Sequence, residues 1–407
     1  MAIRSSRDSK KLAIKDFKLN AMLELTEAIN SNYEVTELLH LYRHILEENL
    51  GIEKLVLYAV EADWQPLLKY GIGDQAPETG SPEQFDDAGL NYTQGSNGNE
   101  SIYIHIPVKN EDLPIANLLV GDAEEDRRGP SPVIKHMKFI QTITNIVLVA
   151  IRNKRLAAEN VRQARIAKEL ELAAEMQSML VPDQLPLDDR YDVSAMYRPH
   201  LQVGGDYYDF IELEDDRVML CMADVSGKGV SAAFLMANFQ AYLMAMFKYM
   251  NLGLEDIVHM LNERVMSSAM GEKYITLFIA TFDRKTRKFN YINCGHNPPV
   301  LLHPNGQSEQ LSLGSIGLGM FEEIPRLQEG QLTLDPGSVV ICYTDGLVEQ
   351  ENAEEEEFGL DRMTSIARES LKEDSERINA EILKEFNLFR GDTPFIDDTA
   401  LLTCRFL

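Results

Sequence analysis

Residues 203–229 read VGGDYYDFIELEDDRVMLCMADVSGKG, and the organisation of the chain can be worked out from this stretch. The pattern predicts two β-strands joined by an acidic turn, with Asp206 near the start of the first strand and Asp224 near the end of the second. Such a hairpin would bring the two carboxylates together at one end. Carboxylates on rigid strands beside glycines favour a hard cation such as Mg²⁺ or Mn²⁺, because these ions prefer oxygen ligands.

Two further aspartates occupy similar positions much later in the chain. Asp345 follows the apolar run 339–343 in the motif Tyr-Thr-Asp-Gly, and Asp397 precedes the last apolar run in Phe-Ile-Asp-Asp-Thr-Ala. Each motif alone is ordinary, since Asp-Gly commonly forms a turn and Asp-Asp is commonly solvated. Four aspartates at predicted strand ends can converge only through folding, and together they predict one shared site.

The composition restricts the class of protein. With 407 residues, of which 44% are hydrophobic, the chain is expected to form two or three domains with sizeable cores. Its net charge of −26 disfavours nucleic-acid binding, because an acidic surface repels phosphates. The four cysteines form no CxxC pair, which indicates buried reduced thiols and a cytoplasmic location. We expect no membrane span and no signal peptide, since no apolar run is long enough.

Helix and strand patterns alternate in residues 20–150, after a basic segment at 1–19 that predicts a flexible tail. Apolar spacing predicts helices over 18–30, 35–50 and 132–151, strands over 54–60, 101–108 and 116–121, and a loop over 71–100. This arrangement resembles a GAF domain, a small α/β sensor. The resemblance implies either a structural, dimerising module or a sensor of a small-molecule or protein signal. No cysteine precedes Cys221, which excludes a covalently attached bilin pigment.

Residues 151–187 predict a helical linker that ends at Pro182 and Pro186. A heptad-like seam runs along its second half and consists of Ile166, Leu170, Ala173, Gln177 and Leu180. The seam favours a short coiled coil, so that the linker and the GAF-like domain would join two copies of the chain in a homodimer. The alternative is an amphipathic helix that packs on its own domain.

From residue 188 to 407, strand patterns far outnumber crossover helices, which predicts an α+β fold with antiparallel sheets. The motifs of this region closely resemble those of the SpoIIE-type branch of the PPM metal-dependent Ser/Thr protein phosphatases. The matching motifs are VGGDYYDF (203–210), ADVSGKGVSAAFLM (223–236), CGHNPPV (294–300), YTDGLV (343–348), FG (358–359) and DDTALL (397–402). The resemblance implies an α-β-β-α sandwich, in which helices flank two antiparallel sheets.

The resemblance also implies a role for each acidic residue at a pair of divalent ions, Mn²⁺ or Mg²⁺. Asp224 would bridge both ions, the Val225 carbonyl would touch one, and Asp345 with Asp397 would hold the other. Asp206 would act mainly through metal-bound water, so that Asp206 and Asp224 are the implied catalytic residues. The implied reaction is hydrolysis of phosphoserine or phosphothreonine on a signalling phosphoprotein, such as an anti-sigma-factor antagonist. The sensor domain would regulate it through the linker helix.

Neighbouring residues leave alternatives open. A shift of one residue in register would exchange Asp398 for Asp397, and Asp209 is either a support for the first aspartate of the hairpin or a surface carboxylate. Lys228 either contacts phosphate or stands at the start of a helix, and His296 favours a turn over a metal. At the level of function, two alternatives are a catalytically weak scaffold that binds a phosphoprotein and a hydrolase of other phosphate esters.

Overall fold

The computed structural model describes residues 2–60, 64–72, 89–94, 100–110, 113–121, 132–182, 184–250, 252–269 and 272–407. The chain divides into two compact units, Met1–Ala164 and Arg165–Leu407. The boundary between them falls within one long helix. The domain limits predicted from the sequence, 1–19, 20–150, 151–187 and 188–407, therefore stay predictions.

The first unit contains one antiparallel sheet. Its helices are α1 (Ala2–Asn30), α2 (Val35–Leu50) and the start of α3 (Pro132–Ser178). Its strands are β1 (Lys54–Val60), β2 (Trp64–Tyr70), β3 (Gly89–Gln94), β4 (Glu100–Asn110) and β5 (Leu113–Gly121), and they lie in the order β2-β1-β5-β4-β3. Apolar side chains of the three helices and one sheet face form a single core, which includes Leu25, Tyr42, Leu57, Leu118 and Ile140.

Three parts of this unit differ from the sequence predictions. The sequence pattern does not reveal β2, because Pro66 interrupts it; in the structure β2 is an edge strand, where proline is tolerated. β3 lies within the predicted loop 71–100, of which 73–88 and 95–99 are outside the described residues. α1 begins at Ala2, so the structure has a helix where the sequence predicts a flexible tail.

α3 joins two predicted helices, 132–151 and the linker, into one element of 47 residues. Its middle part exposes apolar side chains such as Leu156 and Val161. Near its end, Gln177 is buried and exchanges two hydrogen bonds with the backbone of Gly204, and Leu180 packs against a core of the second unit. The end of the linker therefore packs on its own unit, and the coiled coil stays a prediction.

Short strands dominate the second unit. They are β6 (Tyr191–Arg198), β7 (Tyr207–Glu212), β8 (Arg217–Val225), β9 (Ile275–Asp283), β10 (Lys288–Cys294), β11 (Val300–Leu302), β12 (Ser308–Gln310), β13 (Gly314–Ser315), β14 (Gly330–Thr333), β15 (Ser338–Tyr343) and β16 (Thr399–Phe406). The helices are α4 (Val230–Tyr249), α5 (Leu254–Ala269), α6 (Asp345–Val348), α7 (Leu360–Glu369) and α8 (Ser375–Arg390).

These elements form four layers. One sheet has the order β13-β10-β9-β8-β7, with β14 also paired to β10, and its outer core is shared with α4 and α5. The other sheet has the order β12-β11-β15-β16-β6 and packs against α7 and α8. A third core, which includes Phe210, Phe282 and Phe406, fills the space between the sheets. Apart from the two-residue parallel pairing of β13 with β10, the described pairings of both sheets are antiparallel, which confirms the predicted sandwich.

In the part of the chain that the structure describes, two helices are long and apolar enough to cross a membrane by length and composition alone, residues 133–178 of α3 and α4. Both contribute to cores in this structure; α4 buries Leu235, Phe239 and Leu243 against its sheet and α5. Core helices commonly pass this test, so the two helices are weak evidence for a membrane span.

Candidate functional site

The β7–β8 hairpin positions the first pair of aspartates. The first pair of its ladder is Tyr207 with Ala223, so the same register places Asp206 opposite Asp224. A side chain at position 205 would put its Cβ 2.9 Å from the Val225 carbonyl oxygen, so Gly205 allows the two strand ends to approach closely. The structure thus brings together the two carboxylates and the backbone carbonyl that the sequence analysis singled out.

Asp345 and Asp397 come from adjacent strands of the other sheet. Asp345 begins α6 just after β15, and Asp397 lies two residues before β16. The Thr344 N–H donates to the Ala400 carbonyl at 3.1 Å, and the Ala400 N–H donates to Thr344 Oγ1 at 2.8 Å. A side chain at Gly346 would clash with the backbone of the Asp397 segment, so both segments lie tightly side by side.

Asp398 connects the two halves of the site. Its Oδ1 accepts a hydrogen bond from the His200 N–H at 2.7 Å, and its Oδ2 accepts one from the Gly205 N–H at 2.6 Å. Because Gly205 directly precedes Asp206, the buried Asp398 carboxylate ties the hairpin to the start of β16. Both carboxylate oxygens of Asp398 are therefore already hydrogen-bonded to the backbone. Asp397 is the more exposed of the two neighbouring carboxylates.

The acidic side chains raise one another's pKa values. Burial raises the pKa of Asp206 well above its ordinary value, and the charges of Asp224 and Asp398 add to this effect. Burial and Asp345 raise the pKa of Asp224 to about 7, although a hydrogen bond with Asp206 acts in the opposite direction. Burial and Asp397 likewise raise the pKa of Asp345. The negative charges are therefore close together and poorly neutralised by the protein alone.

The donor set of this cluster fits a divalent cation. Asp206 Oδ2 is buried without a hydrogen-bond partner, and the other donors are carboxylates and one backbone carbonyl, the oxygen ligands that Mg²⁺ and Mn²⁺ prefer. Among the residues that the structure describes, no three His, Cys, Asp or Glu side chains already stand in a metal-binding arrangement. A cation would therefore have to draw the carboxylates closer together as it binds.

Asp209 has neither of the roles that the sequence analysis considered. Its carboxylate accepts hydrogen bonds from the Tyr207 hydroxyl at 2.6 Å and from the Phe210 N–H at 2.8 Å, and it is buried rather than exposed. Residues three apart in a strand point to opposite faces of a sheet. Asp209 therefore cannot reach Asp206, and it stabilises the hairpin on the other face.

His296 tightens a turn, as the sequence predicts. Its backbone N–H donates to Asn293 Oδ1 at 2.8 Å, and its ring Nδ1 lies 2.9 Å from Thr276 Oγ1. Burial lowers the pKa of His296 to about 4, so the ring is neutral near pH 7.

Lysines that border the site are less evident from the sequence. Lys228 Nζ lies 2.9 Å from Asp397 Oδ2 and donates to the Ile396 carbonyl at 2.6 Å, so it contacts the site rather than only preceding α4. Lys273 Nζ donates to the Ser226 carbonyl at 2.8 Å, and no motif points to this contact. These two contacts fix the loop between β8 and α4.

The second unit is similar in sequence and in fold to known proteins. The sequence profile described as Stage II sporulation protein E (SpoIIE) matches residues 214–407. Protein IcfG of Synechocystis sp. is 27% identical over 237 residues, which cover 52% of this chain and 37% of that protein. Phosphoserine phosphatase RsbU of Bacillus subtilis is 28% identical over 188 residues, which cover 46% of this chain and 55% of that protein.

A solved structure, the SiaA-PP2C domain of Pseudomonas aeruginosa, has a TM-score of 0.54 at 19% identity, and the match covers 60% of this chain and 99% of that domain. At this identity the likeness shows the fold alone. The chain spans only part of the length of the two relatives, and the profile match begins at Glu214, inside the hairpin turn. From that residue onward, the C-terminal region of this chain matches the SpoIIE family.

Proposed function

We propose that the second unit is a metal-dependent phosphatase that hydrolyses phosphoserine or phosphothreonine on a signalling phosphoprotein. The observation that carries this proposal is the convergence of Asp206, Asp224 and the Val225 carbonyl with Asp345 and Asp397, from strand ends of two different sheets. A cluster of acids that raise one another's pKa values is expected where a protein gathers carboxylates for a cation. The match of residues 214–407 to the SpoIIE family supports the same interpretation.

The roles of the side chains follow from their positions. Asp224, at the centre of the cluster, would contact two ions, Mn²⁺ or Mg²⁺, with the Val225 carbonyl on one of them. Asp345 and Asp397 would hold the other ion, and Asp206 would act through water. When bound, such ions supply an activated water and neutralise charge on the phosphoryl oxygens. Asp398 would keep the hairpin in register with the Asp397 segment.

The reaction would be a direct hydrolysis. A water oxygen forms a bond to phosphorus while the bond to the seryl or threonyl oxygen breaks, and a proton passes to the leaving oxygen. The acidic cluster would disfavour the phosphate dianion in the absence of cations, because like charges repel. The carboxylates must also lose their protons before they can bind an ion, so the raised pKa values link metal binding to pH.

The test is turnover of an aryl phosphate and of a phosphoserine peptide by the full chain, with Mn²⁺ or Mg²⁺ titrated in. We expect metal-dependent hydrolysis, and we expect Asp345→Asn to lower kcat/KM by at least about tenfold, since even changes around a metal site cost that much. Asp335→Asn is the matched control, because Asp335 is exposed at the opposite end of β15. Equal turnover in both variants would reject the site.

The same assay distinguishes the two alternative functions. A catalytically weak scaffold would bind the phosphoserine peptide without metal-dependent turnover. A hydrolase of other phosphate esters would turn over the aryl phosphate but leave the phosphoserine peptide intact. The location of Asp345 and Asp397 at strand ends, partly open to solvent, favours access by a phosphorylated segment of a protein.

The first unit and α3 are proposed to regulate this activity as a GAF-like sensor in a cytoplasmic homodimer. The apolar side chains exposed along the middle of α3 support a contact between two copies through that helix. Light scattering of the full chain tests it: Ile166→Asp, in the seam, should shift a dimer towards the monomer, whereas Ala164→Asp, an exposed position on the opposite face of the same helix, should not. A monomer in the unsubstituted protein would reject the dimer.

A further inference from the structure

A single lysine reaches into the acidic site from the loop before α4. The Lys228 ammonium contacts Asp397 Oδ2 at 2.9 Å and the Ile396 carbonyl at 2.6 Å. The family resemblance assigns Asp397 to a metal ion, and the carboxylate oxygen that the ammonium contacts is a natural ligand for that ion. The positive charge of Lys228 also extends to Asp345, whose raised pKa it partly counteracts.

The backbone around Lys228 fixes where the ammonium can go. Gly227 and Gly229, on either side, have φ angles of 83° and 78°, a conformation that favours glycine. Lys273 holds the preceding residue by a bond to the Ser226 carbonyl. The loop therefore aims Lys228 at the Ile396–Asp397 segment, while the Lys228 side chain itself stays partly exposed to solvent.

We propose that Lys228 is a built-in competitor for the cation at Asp397: its ammonium neutralises this carboxylate in the metal-free protein and must leave when the divalent ion binds. The inference rests on the proposed function, since it assumes that Asp397 is a metal ligand. It adds a residue that sets metal affinity without binding the metal. Lys228 is thus a positioning residue, not a catalytic one.

Two physical effects point in the same direction. Asp397 Oδ1 already accepts a hydrogen bond from the Asp398 N–H at 2.8 Å, so Oδ2 is the oxygen most open to a cation, and the ammonium and a divalent ion compete for that one atom. An ammonium that stayed within about 4 Å of a divalent ion would also be repelled by it. The pair is partly exposed, with side-chain exposures of 42% and 36%, so its contribution is modest and the competition can be overcome at ordinary metal concentrations.

The first experiment measures Mn²⁺ affinity of the full chain by electron paramagnetic resonance, at fixed pH and ionic strength. We expect Lys228→Met to bind Mn²⁺ about two- to fivefold more tightly than the unsubstituted protein, the range of an exposed ion pair. Lys285→Met is the matched control, because Lys285 pairs with Asp216 at the opposite end of β8 and its loss should leave the affinity unchanged.

The second experiment uses the unsubstituted protein and so does not depend on the folding of a variant. An amine-reactive acetylating reagent is applied with and without saturating Mg²⁺, and the labelling of each lysine is read by mass spectrometry. Acetylation at Lys228 should rise when Mg²⁺ is present, because the ammonium is released from Asp397. Acetylation at Lys285 should not change.

Each outcome decides one question. Tighter Mn²⁺ binding by Lys228→Met together with increased labelling supports the competition. Equal or weaker binding by the variant, or labelling that stays constant or falls, overturns it and indicates that Lys228 instead helps to shape the site. If the unsubstituted protein binds no Mn²⁺ at all, the metal site itself is rejected, which is a failure of the proposed function rather than of the role of Lys228.

Discussion

The two halves of the acidic site reduce the repulsion between their carboxylates in different ways. In the hairpin half, Asp206 and Asp224 are held against each other, and Asp206 Oδ2 is buried without a partner. In the half formed by β15 and β16, Asp397 is partly exposed and an ammonium from Lys228 neutralises it. When no metal ion is bound, bound protons therefore reduce the repulsion in the hairpin half, whereas the Lys228 ammonium reduces it in the other half.

This difference shows how a protein can keep an acidic site folded without its ions. Protonation lowers the repulsion in the buried half, at the expense of a strong dependence on pH. Solvent and the Lys228 ammonium lower it in the open half. Asp398 joins the halves through two short hydrogen bonds, so its carboxylate belongs to the framework rather than to either half.

The largest effect on the free energy of unfolding is expected from the substitution of Asp398. Asp398→Ala should lower the free energy of unfolding by about 3 kcal/mol, because two backbone N–H groups lose a charged acceptor, and less repulsion offsets this only in part. Asp397→Ala is the matched control, since it removes a partly exposed ion pair worth less than about 1 kcal/mol and one hydrogen bond from the Asp398 N–H, and so should cost clearly less. Urea unfolding followed by circular dichroism measures both.

Fluorescence of Trp64, the one tryptophan of the sequence, reports on the first unit and serves as the internal reference in that experiment. The unfolding of the first unit should be the same in both variants. Equal losses in the free energy of unfolding of Asp398→Ala and Asp397→Ala would contradict the conclusion that Asp398, unlike Asp397, holds the two halves together.

A second comparison concerns the buried half alone. Asp224→Asn should abolish most metal-dependent turnover and yet raise the free energy of unfolding without metal by about 2 kcal/mol at pH 8. The gain follows from the pKa of about 7, which is roughly three units above that of an unfolded aspartate, discounted for the partial exposure of the side chain. Thermal unfolding in a chelator measures it. A destabilised Asn variant would show that the carboxylate is neutralised by something other than a proton.

The pH dependence of the metal-free protein follows from the same values. The folded state holds the protons of Asp206 and Asp224 more tightly than the unfolded state does, because both pKa values are raised. Below pH about 4 both states hold these protons, and the contribution of the two aspartates to stability is complete. This contribution should then fall as the pH rises from about 4 through about 7, the pKa of Asp224, while the lowered pKa of the buried His296 acts in the opposite direction in the acidic part of this range.

Added Mn²⁺ provides the control for this profile. The ion should restore stability most at pH 8, where the carboxylates are free to bind it, and least near pH 5. Melting temperatures across the pH range, with and without the ion, measure both curves. A metal-free profile that rises between pH 5 and 8 would mean that other groups dominate.

The sequence predicts much of this architecture because strand alternation and glycine-rich motifs are local signals. The hairpin over 203–229, the antiparallel α+β class and the proximity of Asp206 to Asp224 follow from them, whereas the sandwich is implied by the family resemblance. The contacts of Asp398 with residues 200 and 205 do not, since nothing local distinguishes two adjacent aspartates whose partners lie far away in the chain. The sequence does not reveal β2, because Pro66 is a local signal against a strand. The proline is nevertheless tolerated, because β2 lies at the edge of its sheet.

Asp209 is a different case, because strand parity alone excludes the support for Asp206 that the motif suggests. A single conservative substitution can therefore show whether the two faces of β7 contribute separately to stability and to metal binding. Tyr207→Phe removes the hydroxyl that donates to Asp209 at 2.6 Å and leaves that buried carboxylate with the Phe210 N–H. We expect a loss of about 1 kcal/mol in the free energy of unfolding, the usual value for one hydrogen bond.

The same variant should bind Mn²⁺ as the unsubstituted protein does, because the Tyr207–Asp209 pair lies on the face of β7 away from the acidic cluster. Calorimetric titration of Mn²⁺ measures this, and Asp206→Asn, on the cluster side of the same strand, is the contrasting variant that should weaken binding. If Tyr207→Phe reduced Mn²⁺ affinity as much as Asp206→Asn, the two faces would be coupled through the strand. The buried half of the site would then depend on the rigidity of β7 as well as on its own carboxylates.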